Sequence, residues 1–103
     1  MPEYRLSLDA ELDLYEIAVY TIECWGTEQA DRYGRALLSC FSGMAAGTLP
    51  LRRPVPQRPD LLARRCEHHF VFALRRTGEP LLILAVLHEH MDLMERLRDR
   101  LDP

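Results

Sequence analysis

Hydrophobic and polar residues alternate from Tyr4 to Leu8, which is the pattern of a strand with one buried face. From Asp9 onward, apolar residues recur at helical spacing, with Asp9 as the expected N-cap and Glu11 and Asp13 near the positive end of the helix dipole. The residues expected to face the core are Ala10, Leu14, Ile17, Ala18, Thr21, Ile22 and Trp25. The pattern predicts a short strand followed by a helix.

A second helix is predicted directly after the first. Gly26 is expected to end the first helix in the left-handed conformation, and Thr27 to cap the second, with Glu28 at its first position. The predicted buried face consists of Ala30, Tyr33, Leu37, Cys40, Phe41 and Met44. Two helices joined by so short a junction form an αα-hairpin.

An extended connector is predicted after the hairpin, because Pro50, Pro54, Pro56 and Pro59 cannot sustain a helix or a central strand. The connector carries three arginines, Arg52, Arg53 and Arg58. The connector is about thirteen residues long, and a loop of that length in a compact domain is often functional.

Three strands are predicted at 62–66, 69–75 and 81–87, with hairpin residues at 76–80. The last strand is apolar on both faces, which indicates a central place in the sheet, between the preceding strand and the N-terminal one. A short helix is expected to begin near Met91. The predicted fold class is therefore α+β in a single domain, residues 1–103, with an N-terminal strand, an αα-hairpin, a three-stranded antiparallel meander and a short C-terminal helix.

The cysteine pattern and the chain's hydropathy indicate a reducing, cytoplasmic setting. There is no run of about 20 apolar residues for a membrane span, nor the basic and apolar regions of a signal peptide at the N-terminus. Cys24, Cys40 and Cys66 are odd in number, widely spaced and set among apolar residues, so they are expected to be small buried hydrophobes rather than a disulfide framework.

The charge pattern argues against direct nucleic-acid binding. The formal net charge is -3, and a non-specific nucleic-acid binder usually has a strongly basic face. All thirteen basic residues are arginine, so no lysine is present to act as a general base.

The candidates for catalytic and metal chemistry are few. Arg64, Arg65 and Arg75 with His88 and His90 could form a phosphate clamp and an acid, but a solvated sheet face is the favoured interpretation, so an enzyme is not expected. The cysteines and histidines lack the spacing of a zinc site, and neither a metal nor a cofactor is expected.

Several short motifs resemble one protein family in their order and spacing. They are Tyr4-x-Leu6-Ser7, Trp25-Gly26 with Gln29-Ala30 and Tyr33, and Val86-Leu87-His88 followed by Met91-Asp92. Together they resemble the ParE toxins of type II toxin-antitoxin modules. The resemblance implies the fold shared by ParE and RelE toxins, neutralisation by a ParD-like antitoxin in a hetero-oligomer, and inhibition of DNA gyrase and replication. The alternative is a RelE-like ribosome-dependent mRNA endonuclease, since similar scaffolds include such enzymes.

Antitoxin binding is expected to involve a disordered segment that folds onto the toxin while its acids meet arginines. The candidate antitoxin contacts are Tyr4, Tyr20, Arg64, Arg65 and Arg75. The candidate target contacts are Arg52, Arg53, His88, His90, Met91 and Asp92. Core packing is the favoured role for Trp25 and for the apolar residues Met91, Leu93, Met94 and Leu97 of the end helix, and Asp92 is expected to cap that helix.

Overall fold

The computed structural model describes residues 4–89 and 92–101. Its elements are β1 (Tyr4–Leu6), α1 (Leu8–Trp25), α2 (Thr27–Ala46), β2 (Leu61–Cys66), β3 (His69–Leu74), β4 (Leu81–His88) and α3 (Leu93–Leu101). This order confirms the predicted α+β class, the αα-hairpin, the antiparallel meander and the short C-terminal helix.

The four strands form one sheet in the order β1-β4-β3-β2. β1 is parallel to β4, whereas β4 with β3 and β3 with β2 are antiparallel. β4 therefore has a neighbour on each side, as its two apolar faces predict. The connector between α2 and β2 adds one bridge to the outer edge of β2, at Arg52 and Ala63.

A β-bulge in β4 places its apolar residues on the correct faces of the sheet. The pairing of β3 with β4 shifts between Phe72 and Ala73, so that Leu84 has no residue opposite it. Leu81, Ile83 and Val86 belong to the core under the helix hairpin, and Leu84, Ala85 and Leu87 to the core that contains Leu97 of α3. The bulge thus allows two successive residues, 84 and 85, to face the same side.

An ion pair supports the edge of β4 beyond the end of β1. The carboxylate of Asp13 in α1 accepts a hydrogen bond from the Val86 N–H at 2.8 Å. Arg100 in α3 donates to both oxygens of the same carboxylate, at 2.6 and 2.8 Å, and to the Leu84 carbonyl at 3.2 Å. Only 16% of the Arg100 side chain and 11% of that of Asp13 are exposed. We call this arrangement the Asp13–Arg100 clamp; it joins α1, β4 and α3.

The helix starts differ from the predicted caps. Ser7, not Asp9, caps α1, because its Oγ accepts the Ala10 N–H at 3.0 Å and donates to the Leu84 carbonyl at 3.1 Å. Thr27 is already helical, and Gly26 ends α1 and begins α2 with φ 89° and ψ 170°, an extended rather than left-handed helical geometry. A side chain would strain the backbone at this φ.

The C-terminal helix begins as predicted with Asp92, whose Oδ1 accepts the Glu95 N–H at 3.2 Å. Leu97 is fully buried and Leu93 packs at the edge of its core. Met94 is half exposed, so its predicted docking on the core is wrong. Met91 and His90 lie outside the described residues.

The predicted core face of α2 is confirmed by Leu37, Phe41 and Met44, which are fully buried. The prediction for α1 is wrong in part, because Trp25 is 72% and Ile22 44% exposed, and Ala18 is also exposed. Apolar residues occupy opposite sides of α1, and helical spacing alone does not tell which side is buried.

The cysteines correct the prediction of three buried thiols and remove the support that it gave to a reducing compartment. Cys40 in α2 and Cys66 in β2 form a disulfide with their Cα atoms 6.4 Å apart, and Cys24 is exposed. Because the buried face of α2 packs on the sheet, it brings together residues separated by 26 positions. A loop of that length gives a stabilisation of about 3–4 kcal/mol in the chain-entropy account.

Among the described residues, no helix is both long and apolar enough to cross a membrane.

Candidate functional site

A cavity of about 690 Å³ lies between α1, the start of α2 and the end of the sheet where β3 begins and β4 finishes. Its lining includes Ile17, Tyr20, Trp25, Tyr33, His69 and His88. We call it the aromatic groove. It forms because α1 and α2 extend past the sheet toward Gly26, which leaves aromatic side chains of the hairpin above the strand ends.

Tyr33 ties the hairpin to the sheet at the floor of the groove. Its hydroxyl accepts the His68 N–H at 3.0 Å and lies 2.6 Å from Nδ1 of His69. Because the hydroxyl oxygen already accepts from His68, its proton is available for Nδ1, and this arrangement favours the His69 tautomer with its proton on Nε2. Burial raises the pKa of the Tyr33 hydroxyl, so it remains a donor at neutral pH.

His69 is held in its neutral form. Burial, followed by the proximity of His88 and His68, lowers the pKa of His69 to about 4. The His88 ring in β4 lies edge-on to the His69 ring, with ring centroids 5.4 Å apart. The Tyr33 ring in α2 also lies edge-on to the His69 ring, with centroids 5.6 Å apart. The hydrogen-bonded pair of Tyr33 and His69 at the groove floor is therefore uncharged at pH 7.

The rim of the groove is exposed and aromatic. Tyr20 is 64% and Trp25 72% exposed. At the same end of the sheet, Arg65 forms an ion pair with Glu89 at 2.6 Å and stacks over Phe70 at 6.0 Å. Large amphipathic rings near an arginine are typical of residues that anchor protein–protein interfaces.

The structure separates the five predicted antitoxin contacts, with two at each end of the sheet and Arg64 between them. Tyr20 and Arg65 lie at the groove end. Tyr4 lies at the other end and packs edge-on against Phe41 at 5.5 Å. Arg75, which follows β3 at that same end, donates to the Met44 carbonyl at 2.8 Å. Arg64 is in the middle of β2 and donates to the Pro50 carbonyl at 2.9 Å.

The predicted target contacts are also separated. His88 lines the groove and Asp92 caps α3. Arg52 pairs through its backbone with Ala63 at the outer edge of β2, and Arg53 is exposed beside it. β3 and β2 stand between these arginines and His88.

Sequence patterns gave little indication of the groove floor. Tyr33 was expected on the buried face of α2 and as part of the motif that resembles the family, without a hydrogen-bonding role, although a hydroxyl on such a face requires a partner. That partner is supplied from the β2–β3 turn, 35 residues away, where Glu67 adopts a φ of 57°. No local pattern connects the two.

Comparison with a solved structure shows the class of fold. A chain of the structure described as the chromosomal ParDE TA system from P. aeruginosa matches with a TM-score of 0.69 over 85% of this chain and 96% of that chain, at 18% identity. This chain therefore shares the small α+β fold of that chain.

Sequence comparisons identify the family. The family model described as the ParE toxin of the type II toxin-antitoxin system parDE matches residues 4–93. Toxin ParE of Escherichia coli is 48% identical over 98% of each chain, and Toxin ParE1 of Caulobacter vibrioides is 35% identical over 94% of this chain and 99% of its own. This chain belongs to the ParE toxin family.

The neutral state of His69 predicts a pH dependence of stability. Because its folded pKa lies below the unfolded value near 6.5, its contribution is fully present above pH 6.5 and is lost as the pH falls toward 4. We expect the His69 ring to titrate near pH 4 by NMR, and the free energy of unfolding to fall less steeply over this interval in His69→Phe than in the wild type. A His69 ring that titrates at 6.5 or above would contradict this description of the groove floor.

Proposed function

We propose that this chain inhibits DNA gyrase in the cytoplasm and is neutralised by a ParD-like antitoxin in a hetero-oligomer. The observation that carries the proposal is the match to the ParE family over nearly the whole chain. The name of the solved neighbour, a ParDE system, supports an antitoxin partner.

The aromatic groove is the proposed principal contact of the antitoxin. Tyr20 and Trp25 present large, exposed rings above a floor that is held rigid by the Tyr33 and His69 hydrogen bond. An antitoxin segment that folds on binding could bury these rings, while its acidic residues approach Arg65 at the end of the groove.

An extended part of the same antitoxin segment would contact the remaining predicted residues, which are Tyr4, Arg64 and Arg75. Each of the two arginines makes a backbone contact through one guanidinium nitrogen, which leaves the other donors of the group for acidic residues. Wrapping by a disordered segment would allow one partner to reach both ends of the sheet.

The proposed gyrase contacts are the connector arginines and the segment after β4. Arg52 and Arg53 are exposed on a loop whose position is fixed by two backbone hydrogen bonds between Arg52 and Ala63, each 2.9 Å. His88 and Asp92 lie at the end of β4 and the start of α3, and His90 and Met91 between them complete this proposed set.

The groove proposal predicts that Tyr20→Ala weakens the antitoxin complex roughly tenfold or more, because the substitution removes an interface anchor. The binding partner to test is a ParD-like protein, sought first in a short open reading frame beside this gene, and binding can be followed through Trp25, the only tryptophan of this chain. Its emission should shift to the blue as the exposed ring is buried. Tyr15→Ala is the matched control, since Tyr15 is 67% exposed on the same helix but does not line the groove. Equal effects of the two substitutions would refute the groove as the contact.

The gyrase proposal predicts that the purified chain blocks supercoiling, and that Arg52→Ala/Arg53→Ala weakens this inhibition roughly tenfold through loss of two interface charges. The bridge to Ala63 uses only the Arg52 backbone, so the fold should be retained. Arg32→Ala/Arg35→Ala removes the same charge from exposed arginines of α2 and should leave inhibition unchanged. Gyrase that is unaffected by excess wild-type chain would refute the target, and mRNA cleavage in translating ribosomes would identify the ribonuclease alternative instead.

A further inference from the structure

α1 carries a second apolar stripe on the side away from the core. The stripe consists of Leu8, Leu12, Tyr15, Val19 and Ile22. Their spacing alternates between four and three residues, which is the a and d pattern of a coiled-coil heptad. Exposure is 83% for Leu8, 55% for Leu12, 67% for Tyr15 and 44% for Ile22, and Val19 is half-buried. Single exposed apolar residues are ordinary, but a continuous stripe along a helix marks an interaction surface.

Acidic residues border this outer stripe. With Leu12 and Val19 at a and with Leu8, Tyr15 and Ile22 at d, the e positions are Asp9, Glu16 and Glu23. The g positions are Glu11 and Ala18. α1 contains no arginine, and all four of these acids are exposed. Asp9 approaches Arg100 only at 3.9 Å.

The acidic border excludes a second copy of α1 as the occupant. In an antiparallel pair, e faces e, which would oppose acid to acid along the whole helix. In a parallel pair, e faces g, and these positions again bring acids together or leave them opposite Ala18. Both arrangements place like charges beside an apolar seam, which is destabilising.

We propose that the outer stripe of α1 binds an amphipathic helix of a partner protein, one with leucine or isoleucine at its a and d positions and arginine or lysine at its e and g positions. Such a helix would cover the apolar seam and place a positive charge against each acid. The five apolar residues of the stripe are separate from the aromatic groove, because none of them lines that cavity; of the bordering acids, Glu16 lines it and Asp9, Glu11 and Glu23 do not.

The charge around the outer stripe is opposite to the charge of the surface proposed for the antitoxin. The antitoxin contacts include three arginines, whereas the outer stripe is bordered by acids and accepts the opposite charge. Two partners of opposite charge could thus occupy neighbouring sides of α1, with the inner side held on the sheet by Ala10 and Ile17.

The test uses two labelled helical peptides with leucine at every a and d position, one with arginine and the other with glutamate at every e and g position. Fluorescence anisotropy measures their binding to the full chain. The arginine peptide should bind to the wild type. Its affinity for Leu12→Ala/Tyr15→Ala should be lower by roughly tenfold or more, because this variant lacks two apolar side chains of the outer stripe. Its affinity should fall with added salt, and the glutamate peptide should bind at least about tenfold more weakly.

Charge reversal supplies the decisive variant. Glu11→Arg/Glu23→Arg, with helicity checked by circular dichroism, should reduce the preference for the arginine peptide roughly tenfold or more, because two of the four bordering acids become basic and neither residue lines the groove. The control is Tyr20→Ala, which removes a ring of similar exposure from the groove side of α1 and should leave peptide binding unchanged. Equal binding of both peptides to the wild type, no effect of the seam substitutions, or self-association of the chain through this stripe would each overturn the proposal.

Failure here would be distinguishable from failure of the proposed function. Leu12→Ala/Tyr15→Ala should retain the antitoxin complex, whereas Tyr20→Ala should lose it and still bind the arginine peptide. Loss of both activities in both variants would contradict the existence of two separate surfaces.

Discussion

The Asp13–Arg100 clamp connects the two layers that cover the sheet. β1 pairs with β4 only from Leu81 to Ile83, so the rest of the β4 edge needs other partners. Asp13 supplies an acceptor for the Val86 N–H, and Arg100 supplies a donor for the Leu84 carbonyl. Because the two side chains also pair with each other, α1 and α3 are fixed to the same stretch of the central strand. Hydrogen bonding to Asp13 raises the pKa of the Arg100 guanidinium, which therefore remains charged.

The position of α1 on the sheet determines which of its side chains remain exposed to partners. Ala10 and Ile17 face the core, so Tyr20 and Trp25 overhang the end of the sheet and Leu12 and Tyr15 face solvent. The aromatic groove and the outer stripe are therefore two consequences of one helix placement. A helix that is apolar on opposite sides can dock on its own sheet and still offer surface to partners.

Much of the fold could be predicted from local patterns. Alternation predicted the strands, and the two apolar faces of 81–87 predicted the central strand and its neighbours. The features that were missed depend on distant residues. The pairs Asp13 with Arg100 and Tyr33 with His68 lie 87 and 35 positions apart, and Cys40 meets Cys66 only once α2 has packed on the sheet. Trp25 was misplaced because α1 extends past the end of the sheet, so that this residue has no strand beneath it although its spacing is that of the core side.

The candidate site was less predictable than the fold for the same reason. Tyr20 and His88 were identified from residue type and motif, and the structure brings both to the groove. The roles of Tyr33 and His69 depend on the conformation of the β2–β3 turn, which the sequence did not reveal.

If the clamp acts as a unit, its two residues are energetically coupled, and a double-mutant cycle measures that coupling. Asp13→Asn, Arg100→Met and the double variant would be compared by denaturant unfolding. We expect a coupling energy of about 1–3 kcal/mol, because removal of either side chain breaks the same ion pair. If the two single effects add to within about 0.5 kcal/mol of the double variant, the two residues act independently and the clamp is not what holds α1 and α3 to the sheet.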